Sequence, residues 1–418
     1  MDGDQALGGF SSEGLAAIPA ALRPVVEAGD LSGFVTLLWR RGEVAQVNTI
    51  GYRDVAAKAP MTRDTLFRIA SMTKPITSVA ALMLLEEGVL QLDDPITKWL
   101  PEFADMRVLR SATGPLEDTV PAARDITVDD LMTHRSGLAY GFTSIGPIAH
   151  AHEKVLGSPL GPSKTTDEWL EALGSLPLSY QPGERFHYSH ATDVLGFLVG
   201  RAAGTTYRDF IKERILEPLG MHDTDFWCPP EKRDRMAKLY RINPETDALQ
   251  DVSFPHLPDA PEFCSGGGGL ISTADDYLRF ARMMLEGGEL DGVRYLRPET
   301  LALMSENQLT PEQRQVPFMG IPFWLGQGFG LGVSVITDPE KQAWMGAGSK
   351  GSFGWPGAFG TWWQADPVED MVMIYLIQNS MPLEPEAAAQ LATGQRMGGR
   401  AALPAFQKLT YAALGKQL

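Results

Sequence analysis

Strand-like patterning is confined to the two ends of this chain, and that distribution limits the fold more than any other feature. Near the N-terminus two β-rich runs, Phe34–Trp39 and Val44–Ile50, flank Arg40-Arg41-Gly42-Glu43, a hairpin signal. Near the C-terminus Gly328–Ile336, Ser352–Gln364 and Met371–Gln378 read as three successive strands. From about residue 88 to 260 alternation is scarce. Short helical patterns at Val128–His134, Thr166–Leu173, Ala191–Ala203 and Tyr207–Leu216 alternate there with Pro-, Gly- and His-containing loops. Helical spacing also marks Leu15, Ile18, Leu22 and Val25 after the N-cap candidates Ser11-Ser12. An almost wholly apolar helix is expected at Pro75–Glu87, another helix at Ala274–Glu286, and a closing helix at Pro404–Leu414. The predicted fold class is α/β of the α+β type. Residues 1–87 and 261–418 supply an antiparallel sheet flanked by helices, and residues 88–260 form an inserted, mainly helical domain. A length of 418 residues suits two lobes, and the cleft between them is the expected place for a site.

Charge and cysteine content narrow the function classes. Lys and Arg total 36 and Asp and Glu 52, a net charge of −16, so attraction to phosphate backbones or anionic membranes is not expected. No nucleic-acid partner is predicted. The two cysteines, Cys228 and Cys264, make neither a disulfide framework nor a cysteine-rich metal site, and two reduced thiols are expected. The seven histidines include His150/His152 and His187/His190, but none forms H-E-x-x-H, so no metal is predicted. No apolar run approaches the roughly 20 residues of a membrane span. Met1-Asp2-Gly3-Asp4-Gln5 lacks the basic and apolar regions of a secretory signal, so a cytoplasmic location is expected.

Three sites carry candidate chemistry. The first is Ser71-Met72-Thr73-Lys74 at the entrance to the apolar helix. Proline is tolerated in a first helical turn, so Pro75 places Ser71 at or just before the helix start. Positions i and i+3 share a face, which sets the Ser71 hydroxyl beside the Lys74 amine. Unpaired N–H groups and the positive dipole end favour an oxyanion there. The spacing alone is weak, since a solvated lysine following a serine cap reads the same way. About one unperturbed lysine in 2,500 is neutral at pH 7, so a lysine base costs about 4 kcal/mol and needs a third group. Tyr188, at a loop-to-helix junction in Phe186-His187-Tyr188-Ser189-His190, is the candidate. The third feature is Trp355-Pro356-Gly357-Ala358, where an exposed strand N–H of Ala358 is expected as a second oxyanion donor.

Taken in order, Ser71-x-x-Lys74, Tyr188-Ser189-His190 and Trp355-Pro356-Gly357 resemble the serine β-lactamase-like superfamily. The chain is most similar to the family VIII carboxylesterases related to class C β-lactamases. Phe67-Arg68-Ile69-Ala70, Leu131–Leu138, Pro218–Met221 and Ser265–Thr273 add to the likeness, which spans about residues 30–380. The resemblance implies a β-lactamase-like fold, Ser71 as acylated nucleophile, Lys74 as its base and Tyr188 as second member of a proton relay. It implies oxyanion or substrate contacts at Ser71, Ala358, Trp355, Gly357 and His190, a small-molecule ester substrate and no cofactor. Two departures matter. Trp355 stands where lactamases begin K-T-G, with Lys350 five residues too early, and His190 stands where an asparagine is usual. A lysine there would anchor a substrate carboxylate, so esters are favoured over β-lactams or D-amino-acid peptides, with a weak side activity on β-lactams left open. Acyl transfer and a catalytically silent ligand-binding relative stay open. Phe226, Trp227, Trp355, Trp362 and Trp363 are candidate pocket walls. No Gly-x-Ser-x-Gly elbow offers another serine nucleophile.

Overall fold

The computed structural model describes residues 7–157, 164–243, 245–380 and 398–416. Helix α1 (Ser12–Glu27) starts at Ser11, whose hydroxyl accepts from the Gly14 N–H at 3.1 Å. Strands β1 (Gly33–Arg40) and β2 (Glu43–Asp54) form the expected hairpin, and β3 (Ala59–Pro60) extends it. Strand β4 (Phe67–Arg68) leads into the buried helix α2 (Thr73–Glu86). In the middle of the chain α3 (Ala191–Ala203) packs against α2. Strand β5 (Ile271–Ser272) and helix α4 (Ala274–Leu285) return the chain to the sheet, which gains β6 (Gln327–Phe329), β7 (Ser334–Ile336), β8 (Phe353–Gly354), β9 (Trp362–Asp366) and β10 (Met371–Leu376). Helix α5 (Gly398–Ala412) closes the chain, with Pro404 inside it instead of at its start.

The main sheet runs β6-β7-β8-β9-β10-β1-β2-β3, with antiparallel neighbours throughout. The first and last strand groups meet where Val35 lies opposite Leu376 and Arg40 opposite Met371. Every residue of β1 and β10 is buried, because helices cover both faces. Period-2 geometry divides the side chains. Phe34, Leu38, Met373 and Tyr375 pack with Ile18, Leu22 and Phe406 of α1 and α5. Val35, Leu37, Val372 and Ile374 pack on the other face with Ile76, Val79 and Phe280 of α2 and α4. That second core continues into the middle of the chain through Leu195, Leu198 and Phe210.

Two expected strands are each broken in two. Gly328–Ile336 turns back on itself between β6 and β7, where the Gly330 N–H donates to the Val333 carbonyl at 2.8 Å and Gly332 takes φ 94°. Ser352–Gln364 is interrupted by a loop over residues 355–361. Pro356 supplies no ladder donor, Gly360 takes φ 83°, and the Thr361 hydroxyl donates to the Ile69 carbonyl at 3.1 Å. Ala358 therefore lies in an exposed turn, not on a strand. The loop presses on the segment before Ser71: a Cβ at Gly357 would sit 2.4 Å from the Ile69 carbonyl oxygen and 2.1 Å from Thr361 Oγ1.

Gly357→Ala is consequently expected to destabilise the fold by about 1–3 kcal/mol through overpacking, read as a lowered Tm. An unchanged Tm would show that the loop yields freely.

Candidate active site

Ser71 sits in a 3-10 turn, Ala70–Met72, directly before α2. Ala70 ahead of it has φ 45°, a left-handed conformation that costs a non-glycine residue about 1–3 kcal/mol. The surroundings hold it there. The Ile69 N–H donates to the Leu270 carbonyl at 3.0 Å, and β4 pairs with β5 through Phe67–Ser272 and Arg68–Ile271. Tyr277 Oη donates to the Met72 carbonyl at 2.8 Å.

The predicted Ser71, Lys74 and Tyr188 come together. Tyr188 Oη lies 2.7 Å and Lys74 Nζ 3.3 Å from Ser71 Oγ. Lys74 is fully buried. Its amine also donates to the Gly267 carbonyl at 2.7 Å and to Tyr140 Oη at 3.2 Å, and it lies 4.6 Å from the Tyr188 ring centroid. With two N–H directions committed to Gly267 and Tyr140, the remaining tetrahedral direction points at Ser71 Oγ.

Trp355 Nε1 donates to Tyr188 Oη at 3.1 Å, so the third motif meets the second through an indole. Of the five aromatic residues expected in pocket walls, Trp355 touches this cluster. Trp363 packs on Tyr277 and Phe280, Phe226 on Tyr207, and Trp362 lies on the α1/α5 side of the sheet. Trp227 borders a separate cavity of about 360 Å3 lined by Arg208, Asp225, Cys228 and Lys232. His190 is buried with its Nδ1 2.9 Å from Asp193 Oδ2 and its ring 4.3 Å from that of Tyr140. Lys350 is exposed in the turn before β8.

Three contributors escaped sequence reading. Tyr140 arrives on the irregular segment after Gly137 and carries no motif. Asp193 is three residues after His190 on α3, a helical spacing that gives a usable signal. Its Oδ1 accepts from the Gly267 N–H at 2.9 Å and from Ser265 Oγ at 2.5 Å. Gly267 is the third: a Cβ there would lie 2.8 Å from both Asp193 Oδ1 and Tyr140 Oη. Asp193 and Lys74 thus grip opposite ends of that segment, the N–H and the carbonyl of Gly267. Burial works against the Asp193 charge, yet His190, Lys74 and Ser265 hold its carboxyl below the usual range. Burial first, then Asp193, pushes the Tyr140 phenol well above its ordinary value.

An aromatic wall covers the other side of Tyr188. Phe318 lies 5.5 Å from its ring and 6.0 Å from that of Trp355, with Phe186 and Trp324 behind. Both cysteines are free and buried. Among the described residues no cluster of His, Cys, Asp or Glu could hold a metal ion, and no helix is long and apolar enough to cross a membrane.

A half-buried serine paired with a buried lysine, with a tyrosine on the serine and set between an antiparallel sheet and helices, defines the β-lactamase-like serine hydrolases. The chain belongs to the beta-lactamase family, whose model matches residues 18–395. It is 51% identical over 398 residues to Protein Rv1367c of Mycobacterium tuberculosis, covering 95% of this chain and 98% of that protein. It is 32% identical to esterase EstB of Burkholderia gladioli, covering 80% and 83%. Among solved structures, EstCE1, a hydrolase with promiscuous acyltransferase activity, superposes with a TM-score of 0.75 at 26% identity, covering 94% and 98%. Esterase and acyltransferase relatives therefore accompany the lactamase fold.

The buried histidines give the fold an acid weakness. Burial holds His187 at about 4 and His152 at about 3, with His190 and His187 adding to the effect on His152, and pushes His134 well below its usual value. Each stays neutral when folded but takes a proton when unfolded below about pH 6.5. Stability is therefore full above that pH and falls by about 1.4 kcal/mol per pH unit for each histidine down to its folded value. Urea midpoints between pH 7 and 4 should fall steeply, and His152→Gln should reduce the slope by one proton. An unchanged slope would contradict its burial as a neutral ring.

Proposed function

We propose that this protein hydrolyses carboxylic esters of short to medium acyl chain through an acyl-enzyme on Ser71. The observation that carries the reading is the convergence of Lys74 Nζ and Tyr188 Oη on one serine oxygen, at 3.3 and 2.7 Å. Lys74, held at Gly267 and Tyr140, takes the Ser71 proton as Oγ attacks the ester carbonyl. Tyr188 gives its phenolic proton to the departing alkoxide and recovers one from the Lys74 ammonium, which returns both groups to their starting states, with the Trp355 indole fixing the phenol's orientation. Water entering from the alcohol side then repeats the sequence and frees the acid.

The developing oxyanion is assigned to the N–H groups of Ser71 and Ala358. Ser71 lies at a helix start, where N–H groups lack intrahelical acceptors. The Ala358 N–H has no hydrogen-bond acceptor among the described residues. Gly357, pressed on the Ile69 carbonyl, sets the approach of the two donors. Each such donor is worth about 2.7–4 kcal/mol in the transition state. Residues 88–260 supply the wall carrying Tyr140 and Tyr188, and the terminal segments supply the wall carrying Ser71, Lys74 and Ala358. Trp355 in place of a third-motif lysine supports esters over β-lactams. The likeness to EstB supports hydrolysis, and that to EstCE1 supports acyl transfer to an alcohol as a side reaction.

Turnover of p-nitrophenyl acetate, butyrate and laurate, and of a chromogenic cephalosporin, tests the proposal. Esters should be turned over faster than the cephalosporin. Ser71→Ala should abolish ester turnover, and Tyr188→Phe should lower kcat by about 100- to 10,000-fold. Ester turnover surviving in Ser71→Ala sinks the mechanism, and faster cephalosporin turnover overturns the substrate class.

A further inference from the structure

Arg68 presents an electrostatic imbalance beside the site. It stands three residues before Ser71 on β4, is half-buried, and has no carboxylate or hydrogen-bond acceptor for its guanidinium among the described residues. This occurs in a chain with 52 acidic and 36 basic residues, where an acceptor is easy to supply. What Arg68 does contact is the ring of Phe254, whose centroid is 5.7 Å from the guanidinium carbon. A ring face steadies a guanidinium but leaves its in-plane N–H edges uncommitted. The Arg68 backbone is fixed at both ends by Gln378, whose Oε1 accepts from its N–H at 2.7 Å and whose Nε2 donates to its carbonyl at 3.1 Å.

Two further cationic or protonatable groups gather here. Among the described residues Arg233 binds the carbonyls of Cys228 and Leu257, at 3.3 and 2.7 Å, and makes no ion pair. His256, on the same 252–257 segment, is held below its usual value by burial and by the charges of Arg233 and Arg68. Phe254 in turn meets Phe359 at 6.2 Å, and Phe359 packs on Ala70 beside Ser71. A half-buried cation without a carboxylate partner remains open to one, and the guanidinium fork matches a carboxylate.

We propose that Arg68, backed by Arg233, forms an anion subsite adjoining Ser71 that receives a carboxylate on the ester substrate. The inference rests on the ester-hydrolase reading and refines its substrate class. It also replaces the missing third-motif lysine with a cation at a different place. Burial lowers the affinity of the Arg68 guanidinium for its proton, which a bound carboxylate would restore.

The test compares acids with neutral counterparts on each side of the scissile bond: monoethyl with diethyl adipate, and 4-acetoxybenzoate with 4-acetoxybenzamide. Wild type should prefer the acid at least tenfold in kcat/KM in one pair. Arg68→Gln should bring that ratio close to one, and Arg68→Lys should retain part of it. A ratio within one preparation is insensitive to partial unfolding. Adipate, and not adipamide, should also inhibit wild-type hydrolysis of diethyl adipate competitively, a readout that needs no variant. Turnover without acid preference or adipate inhibition, or a preference that survives Arg68→Gln, overturns the subsite while leaving the hydrolase standing. No turnover of any of the four esters overturns the hydrolase reading and the subsite with it.

Discussion

The buried amine of Lys74 is the constraint on which much of this structure depends. Removing an ammonium or amine from water costs several kcal/mol unless its hydrogen bonds are replaced. The replacements come from the same turn, through Ser71, and from two distant stretches: Tyr140 from the middle of the chain and the Gly267 carbonyl from the return to the sheet. Each stretch must be fixed independently. The β4–β5 pairing aligns residues 67–68 with 271–272, and Asp193 on α3 holds the Gly267 N–H. The sheet at the chain ends and the helices of the middle are therefore tied together at the point where the amine needs acceptors.

Around that amine the environment is asymmetric. On one side Asp193, His190, Ser265 and Gly267 form a connected polar network around a buried carboxylate. On the other, Phe318, Phe186, Trp324 and Trp355 enclose Tyr188 in aromatic rings. The aromatic side excludes water and lowers the local dielectric, which strengthens the fixed hydrogen bonds among Tyr188, Ser71 and Trp355. The polar side supplies orientation without approaching Ser71, because the Gly267 segment stands between. A proton can move among Ser71, Lys74 and Tyr188 over short distances while the surrounding donors and acceptors stay in place, which is the preorganisation that electrostatic catalysis needs.

What was legible in the sequence followed from local rules. The β1–β2 hairpin was visible because its alternation and its Arg41-Gly42 turn are contiguous. The position of Ser71 was visible because Pro75 restricts where a helix can begin, and the structure starts α2 at Thr73. Gly328–Ile336 and Ser352–Gln364 read as single strands because β-favouring residues flank Gly330–Gly332 and Pro356–Gly360 on both sides, while hydrogen bonding within the turn and packing onto Ile69 break the ladder between them. Tyr140 was not legible, since its arrival beside Lys74 depends on a nonrepetitive segment whose path is set by tertiary contacts. Asp193 lay within reach of a helical-spacing argument, but only the structure shows that its acceptor capacity is spent on the Gly267 N–H.

Net charge and the charges within a site act at different ranges. A value of −16 sets the long-range field and disfavours anionic partners at a distance. It says little about a site within one Debye length, about 8 Å at physiological salt, where individual groups dominate. Most buried or half-buried arginines here are paired: Arg40 with Glu369, Arg135 with Asp129, Arg208 with Asp225. Among the described residues Arg68 departs from that pattern beside the candidate nucleophile, and Arg233 likewise meets no carboxylate. The replacement of the third-motif lysine by Trp355 removes one anionic anchor and gives Tyr188 an indole donor in exchange. Together these features separate the two tasks a single lysine would combine. In the proposed mechanism Trp355 orients Tyr188 without charge, and in the proposed subsite recognition of an anion falls to Arg68, which is not among the groups that hold Lys74.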